Sequence, residues 1–175
     1  MTFSKSTEAF PEQPGKMSDE EQLVWDELGK IQDPEIPVLS LVEMKIIRSV
    51  RLGEPLTVVF SPTYVACPAT ALMMQEIRTR MMGLGYRDVR IETTFSPPWS
   101  TDLLDGATKE KLRMFGIAPP PEGAVDLEAS LAKEVACPHC GSGATTLESS
   151  FGPTLCRQIF YCDSCRQSFE RFKPL

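Results

Sequence analysis

The sequence predicts an α+β protein: a small three-stranded sheet packed with helices, followed by a β module built around four cysteines. Three observations carry this reading. Apolar residues alternate over 46–60 and 89–95, the period of strands. They recur at helical spacing over 18–32 and 69–82. Two Cys-x-x-C pairs, Cys137/Cys140 and Cys162/Cys165, stand about twenty residues apart near the C-terminus, the spacing of a four-thiolate metal site.

The elements follow in order. Residues 1–17 are polar and carry Pro11, Pro14 and Gly15, the composition of a tail. Ser18 with Glu21 makes a capping box that opens a helix. Val24, Leu28 and Ile31 share one face of it, and Asp33-Pro34 stops it, because the residue before proline avoids the helical region. Ile46, Val50 and Leu52 read as one strand and Leu56, Val58 and Phe60 as the next, with Gly53 and Pro55 turning a hairpin between them. Cys67-Pro68 opens a second helix, with Pro68 in its first turn, through Leu72, Met73, Ile77 and Met81. Val89, Ile91, Thr93 and Phe95 form a third strand. Thr101 or Thr108 caps a further helix that Gly116 closes. The prolines of 119–121 and Gly123 mark a boundary, since such a run continues neither helix nor central strand. The expected domains are therefore 18–120, a spacer over 121–135 with a short helix from Asp126 to Val135, and a ribbon over 136–175 with strands at 144–149, 155–161 and 168–172.

Composition narrows the function. Apolar residues at 42% and charged residues at 24% are ordinary globular proportions, which argues against a disordered chain. A net charge of -6 argues against a nucleic-acid partner, because neutralising phosphates needs a basic face. The first 17 residues lack the apolar core of a signal peptide, and no run is long enough to span a membrane, so a cytoplasmic location is expected. Six cysteines in that compartment point to metal or redox chemistry rather than disulfides.

In the ribbon, each Cys-x-x-C knuckle offers two thiolates on one side of a tight turn, so Cys137, Cys140, Cys162 and Cys165 complete a tetrahedron. Zinc is the expected ion, with an iron–sulfur centre as the alternative. Cys156 reads either as a packed strand residue or as an exchangeable fifth ligand. His139 is the single histidine, so a histidine-rich di-iron or catalytic zinc centre is excluded. Cys67 stands alone upstream, at a helix N-terminus that favours the thiolate. One thiolate cannot hold a cluster. It needs a second subunit (a homodimer), an external thiol, or the carboxylates of Asp33 and Glu35 brought close.

Several motifs together resemble a known family. Asp33-Pro34-Glu35-Ile36-Pro37, Ser61-Pro62-Thr63 ahead of Cys67-Pro68, Pro98-Trp99-Ser100 and Gly116-Ile117-Ala118-Pro119-Pro120 resemble, in order, the SufT-type (MIP-type) domain of iron–sulfur assembly factors over 18–120. Phe151 to Arg157, Tyr161 to Cys165 and Phe172-Lys173-Pro174-Leu175 extend the likeness to the PaaD-type subunits of bacterial phenylacetyl-CoA ring-epoxidising oxygenases. That resemblance implies a non-catalytic accessory subunit in phenylacetate breakdown. Its partners would be the oxygenase and reductase subunits and iron–sulfur assembly proteins, and its task the maturation of the reductase's cluster. Cys67 would transiently hold iron or a cluster, with Asp33, Glu35 and Thr63 lining its site. A purely structural subunit and a small iron–sulfur electron carrier are the other two readings. One departure is visible: Val42-Glu43-Met44 stands where the family carries a glycine-containing segment.

Overall fold

The computed structural model describes residues 17–65, 67–121 and 134–175. Most of the expected tail and most of the expected spacer helix lie outside them. The first helix, α1 (Asp19–Leu28), is capped as expected: the Ser18 hydroxyl accepts the Glu21 N–H at 3.1 Å, and Val24 and Leu28 are buried. It ends earlier than the sequence suggests. The backbone of 31–33 turns away to pair with the segment that follows: Leu41 N–H donates to Ile31 O, and Asp33 N–H to Leu39 O, both at 2.9 Å. Ile31 is still buried, but from a loop rather than from the helix. This back-pairing closes 33–39 into a tight acidic loop whose apolar member, Ile36, plugs the core.

Strands β1 (Ile47–Arg51) and β2 (Leu56–Phe60) form the expected antiparallel hairpin. Leu56, Val58 and Phe60 point inward and are fully buried, as period two requires. The first strand departs from simple alternation. A bulge between Ile47 and Ser49 lets Ile46 and Ile47 both be buried, while Leu52 falls outside the strand and is exposed. The segment that lacks the family's glycine turns nonetheless: Lys45 adopts a left-handed φ of 55° there.

Helix α2 (Thr70–Gly83) crosses over from β2 to β3 (Val89–Thr93), which pairs with β2 in parallel. Its buried row is Met73, Ile77 and Met81, one i,i+4 ridge; Leu72 is exposed instead of lining the core. Pro68 does not occupy the first helical turn, because Ala69 is the N-cap and Cys67-Pro68 form the turn before it. Phe95 lies beyond β3 and is exposed. Helix α3 (Gly106–Met114) is capped neither by Thr101 nor by Thr108. Asp105 is the cap, and its carboxylate accepts the Thr108 N–H at 2.8 Å. Thr101 instead opens a short 3-10 turn.

The C-terminal module is a sheet ordered β4-β7-β6-β5, from β4 (Ile117–Ala118), β5 (Thr145–Ser149), β6 (Arg157–Cys162) and β7 (Gln167–Phe172). Its first strand comes from before the proline run and pairs in parallel with β7, Ile117 opposite Glu170. Packing therefore runs across the boundary that the prolines mark. Phe172 and Cys156 belong to the same apolar cluster as α1, α2 and the first sheet. Trp99 packs on Phe172 with ring centroids 5.9 Å apart, and its indole N–H donates to Met44 O at 2.7 Å. A smaller core of Val135, Phe160, Phe169 and their neighbours sits under the knuckles.

Candidate metal centres

The four ribbon cysteines are set by two nearly equivalent turns. Cys137 O accepts the Gly141 N–H and Cys162 O accepts the Arg166 N–H, each at 2.8 Å. The residue that leaves each turn is left-handed, Gly141 at φ 76° and Arg166 at φ 59°. This backbone folds each pair of thiols to one side. The pairs then meet: Cys137 and Cys165 sulfurs are 3.7 Å apart, Cys140 and Cys162 sulfurs 3.6 Å, and all four lie within 4.8 Å of one another. A tetrahedron with metal–sulfur bonds of about 2.3 Å has edges of about 3.8 Å, so the donor set fits a single tetrahedral ion. A polynuclear cluster would spread the thiols further, since two irons and their bridging sulfides would lie between them. His139 is exposed and stands outside this group.

The electrostatics of these four sulfurs also calls for a cation. The Cys165 N–H, aimed at its sulfur, brings Cys162 down to about 7. Burial, with neighbouring sulfurs, pushes Cys165 up to about 12. Four thiolates cannot coexist at these distances without a positive ion among them.

The second candidate site lies on the first module. Cys67 is half-buried at the foot of α2. Burial raises its thiol above the ordinary cysteine value, and the negative charges of Glu35 and Asp33 add to the rise. The Ala69 N–H and Thr70 hydroxyl, at the start of the helix, favour the thiolate but are outweighed. The sequence expectation of an activated thiolate is thus reversed in sign: a helix N-terminus attracts negative charge, yet desolvation and two carboxylates win. Asp33 is buried, and one of its oxygens accepts the N–H groups of Glu35 (2.8 Å) and Ile36 (2.9 Å), which fixes the acidic loop. Burial also raises the Asp33 carboxyl, and burial together with the Asp33 charge raises that of Glu35. Thr63 sits half-buried in the loop after β2, and among the described residues no hydrogen bond ties it to the thiol.

Sequence reasoning missed a second cysteine beside the acidic loop. Cys156 is neither a ribbon ligand nor merely a packed strand residue. It is buried just before β6, and its sulfur lies 3.2 Å from the Thr154 hydroxyl and 3.9 Å from Glu35 Oε2. Arg157, beside it, donates to Glu35 O at 3.1 Å and to the Thr154 hydroxyl at 2.8 Å, and pairs with Glu170. The ribbon therefore sits directly against the acidic loop. Within the ribbon, Gly152 lies so close to Arg157 that a Cβ there would come within 3.1 Å of it. The available signal was the unexplained Cys156-Arg157 pair, which no ribbon geometry requires.

The fold and its sites define a small α+β domain with a half-buried thiol and an acidic loop, joined to a four-thiolate metal-binding ribbon. Comparison with known proteins agrees on both parts. Residues 21–93 match the iron–sulfur cluster assembly protein family, and residues 122–173 match the PaaD zinc beta ribbon domain. An Escherichia coli (strain K12) protein, provisionally named as a 1,2-phenylacetyl-CoA epoxidase subunit, is 41% identical over 151 residues, 86% of this chain and 90% of that protein. An Fe-S protein maturation auxiliary factor of Porphyromonas gingivalis (strain ATCC BAA-308 / W83) is 31% identical over 80 residues, 44% of this chain and 75% of that one. The crystal structure of a domain of unknown function, DUF59, from Bacillus anthracis covers 53% of this chain and 90% of its own at 18% identity, with a TM-score of 0.48. The chain belongs to the PaaD family of 1,2-phenylacetyl-CoA epoxidase subunits. Among the described residues no helix is long and apolar enough to cross a membrane.

Proposed function

We propose that this chain is a cytoplasmic, non-catalytic accessory subunit of a phenylacetyl-CoA ring-epoxidising oxygenase system, and that it helps mature the iron–sulfur cluster of the reductase component. The carrying observation is the Cys67 thiol held beside Asp33 and Glu35, in a domain that matches iron–sulfur cluster assembly proteins. The ribbon holds zinc, as a set of four convergent thiolates favours. It joins the structure to the recipient and takes no part in transfer.

The chemistry follows from the side chains. With its thiol raised, the apo site keeps Cys67 protonated and slow to oxidise near neutral pH. An arriving iron or cluster displaces that proton and takes the sulfur as a soft ligand. Glu35 offers a hard oxygen from the acidic loop and offsets the positive charge. The partner proteins are the oxygenase and reductase subunits and the iron–sulfur assembly machinery. The test is to co-express the reductase with this chain or with its Cys67→Ser variant and to measure [2Fe–2S] content. Reduced occupancy with an intact fold is expected. Unchanged occupancy removes the proposal, and stable stoichiometric co-purification with the oxygenase would then favour a structural subunit.

A further inference from the structure

We infer that the cavity beside β1 binds a small organic anion, an acidic head on an apolar body, with Arg48 and Lys45 receiving the head. This is independent of the role of Cys67. The cavity holds about 400 Å³ and is lined from α1, the turn at 42–45, the first hairpin and the loop at 94–97. That volume lies within the range of small-molecule sites, about 300–1,000 Å³. Three cations, Lys45, Arg48 and Arg51, line it, and no carboxylate does among the described residues. In a chain of net charge -6, such a concentration of one sign stands out. Arg51 pairs with Glu92 at 2.6 Å, and Lys45 acts on the Asp105 carboxylate, but neither acid lines the cavity. The rest of the wall is largely apolar, with Trp25, Ile47, Val59 and Pro97.

The bulge in β1 builds the charged end. Ile47 pairs with Phe60 and Ser49 with Val59, so Arg48 is the extra residue between them. In a regular strand, residues 48 and 49 would face opposite sides of the sheet. The bulge lets both line one cavity together with Arg51. Arg48 Nη2 donates to the Ser61 hydroxyl at 3.3 Å, and Ser61 is fully buried, so the guanidinium is held at one end from within the fold. Burial disfavours the charge on Arg48, and an anion in the cavity would offset that cost. A planar guanidinium matches the paired oxygens of a carboxylate or a phosphate. The apolar wall asks for a hydrocarbon body behind that head, which inorganic phosphate lacks. The volume suits one alkyl chain or ring system rather than the surface of a macromolecule.

Three probes with one body separate head from chain: octanoate, octyl phosphate and neutral 1-octanol, each titrated into the full chain by calorimetry and by tryptophan emission. Wild type is expected to bind one octanoate or one octyl phosphate per chain, about tenfold or more tighter than octanol, because a hydrogen-bonded charge contributes that much. The tighter of the two anions tells a carboxylate ligand from a phosphate one. Arg48→Gln should weaken both anions about tenfold and leave octanol unchanged. Lys45→Asn should weaken them about threefold, as an exposed charge does. Asparagine tolerates the left-handed backbone at 45, so this variant keeps the test open if Arg48→Gln fails to fold. Trp25 and Trp99 are the two tryptophans, and Trp25 lines the cavity, so Trp25→Phe should abolish the emission change. Far-ultraviolet circular dichroism reports whether each variant is folded. Octanol binding as tightly as octanoate and octyl phosphate, an emission change that survives Trp25→Phe, or no binding of either anion would each overturn the inference.

Discussion

The two sulfur centres are built on opposite terms. In the ribbon, four thiols converge to 3.6–3.7 Å across the two knuckles, set to one side by two matching backbone turns. Around Cys67, the thiol is single within its module, half-buried and pushed toward its protonated form by burial, Glu35 and Asp33. A tight, closed donor set grips. A protonated thiol beside carboxylates waits. The difference teaches that one side-chain type can serve two sorts of site, according to how many thiols the backbone gathers and how far their surroundings oppose the thiolate.

The largest expected effect is on the ribbon. Structural zinc contributes on the order of 10 kcal/mol in zinc-finger peptides. Chelation should therefore strip hydrogen-exchange protection from β5 and the knuckle end of β6. The first sheet should stay protected, because its core is formed mainly by α1, α2 and its own strands. Undiminished protection in β5 after complete chelation would break the contrast between the centres. Next comes the shared core. Phe172 is fully buried against Trp99, so Phe172→Ala should cost about 3–5 kcal/mol in denaturant unfolding. It should loosen both modules in one transition, and two separate transitions would show that they are energetically independent.

Arg157→Ala is a smaller test. Its guanidinium is buried and bonded to Glu35 O, the Thr154 hydroxyl and Glu170, so removal should cost about 2 kcal/mol. The ribbon should keep its metal ion. The smallest effect sharpens the electrostatic side. Cys67 has a raised thiol, so its alkylation should be slow at pH 8 and accelerate as pH rises through its elevated value. Glu35→Gln removes one of the charges that hold it up. The thiol should then drop, and alkylation at pH 8 should quicken. A slower rate in that variant would mean the carboxylate does not act on the sulfur.

Much of the architecture was legible because it is local. The capping box at Ser18, the alternation of Leu56, Val58 and Phe60, and the two knuckles each announce themselves within a few residues. The knuckles are the extreme case, since ligand spacing and turn geometry are one statement. What stayed hidden was long-range. No spacing rule brings Cys156 to Glu35, 121 positions away, or draws Ile117 into a sheet with Glu170. The early end of α1 was hidden for the same reason: residues 31–33 find better partners at 39–41 than in another helical turn. The sign of the Cys67 shift was missed differently. Helix position is readable from sequence, but the competing burial and carboxylates belong to the folded neighbourhood.

The strand Ile117–Ala118, laid in parallel along β7, has a practical outcome for anyone handling the protein. A protease that nicks the chain anywhere between residues 121 and 134 leaves β4 on one fragment and its partner strand on the other. The Trp99–Phe172 stack and the Thr101 N–H to Leu175 O bond, at 3.1 Å, also bridge the cut. The two pieces should therefore migrate together on a sizing column and part only in denaturant.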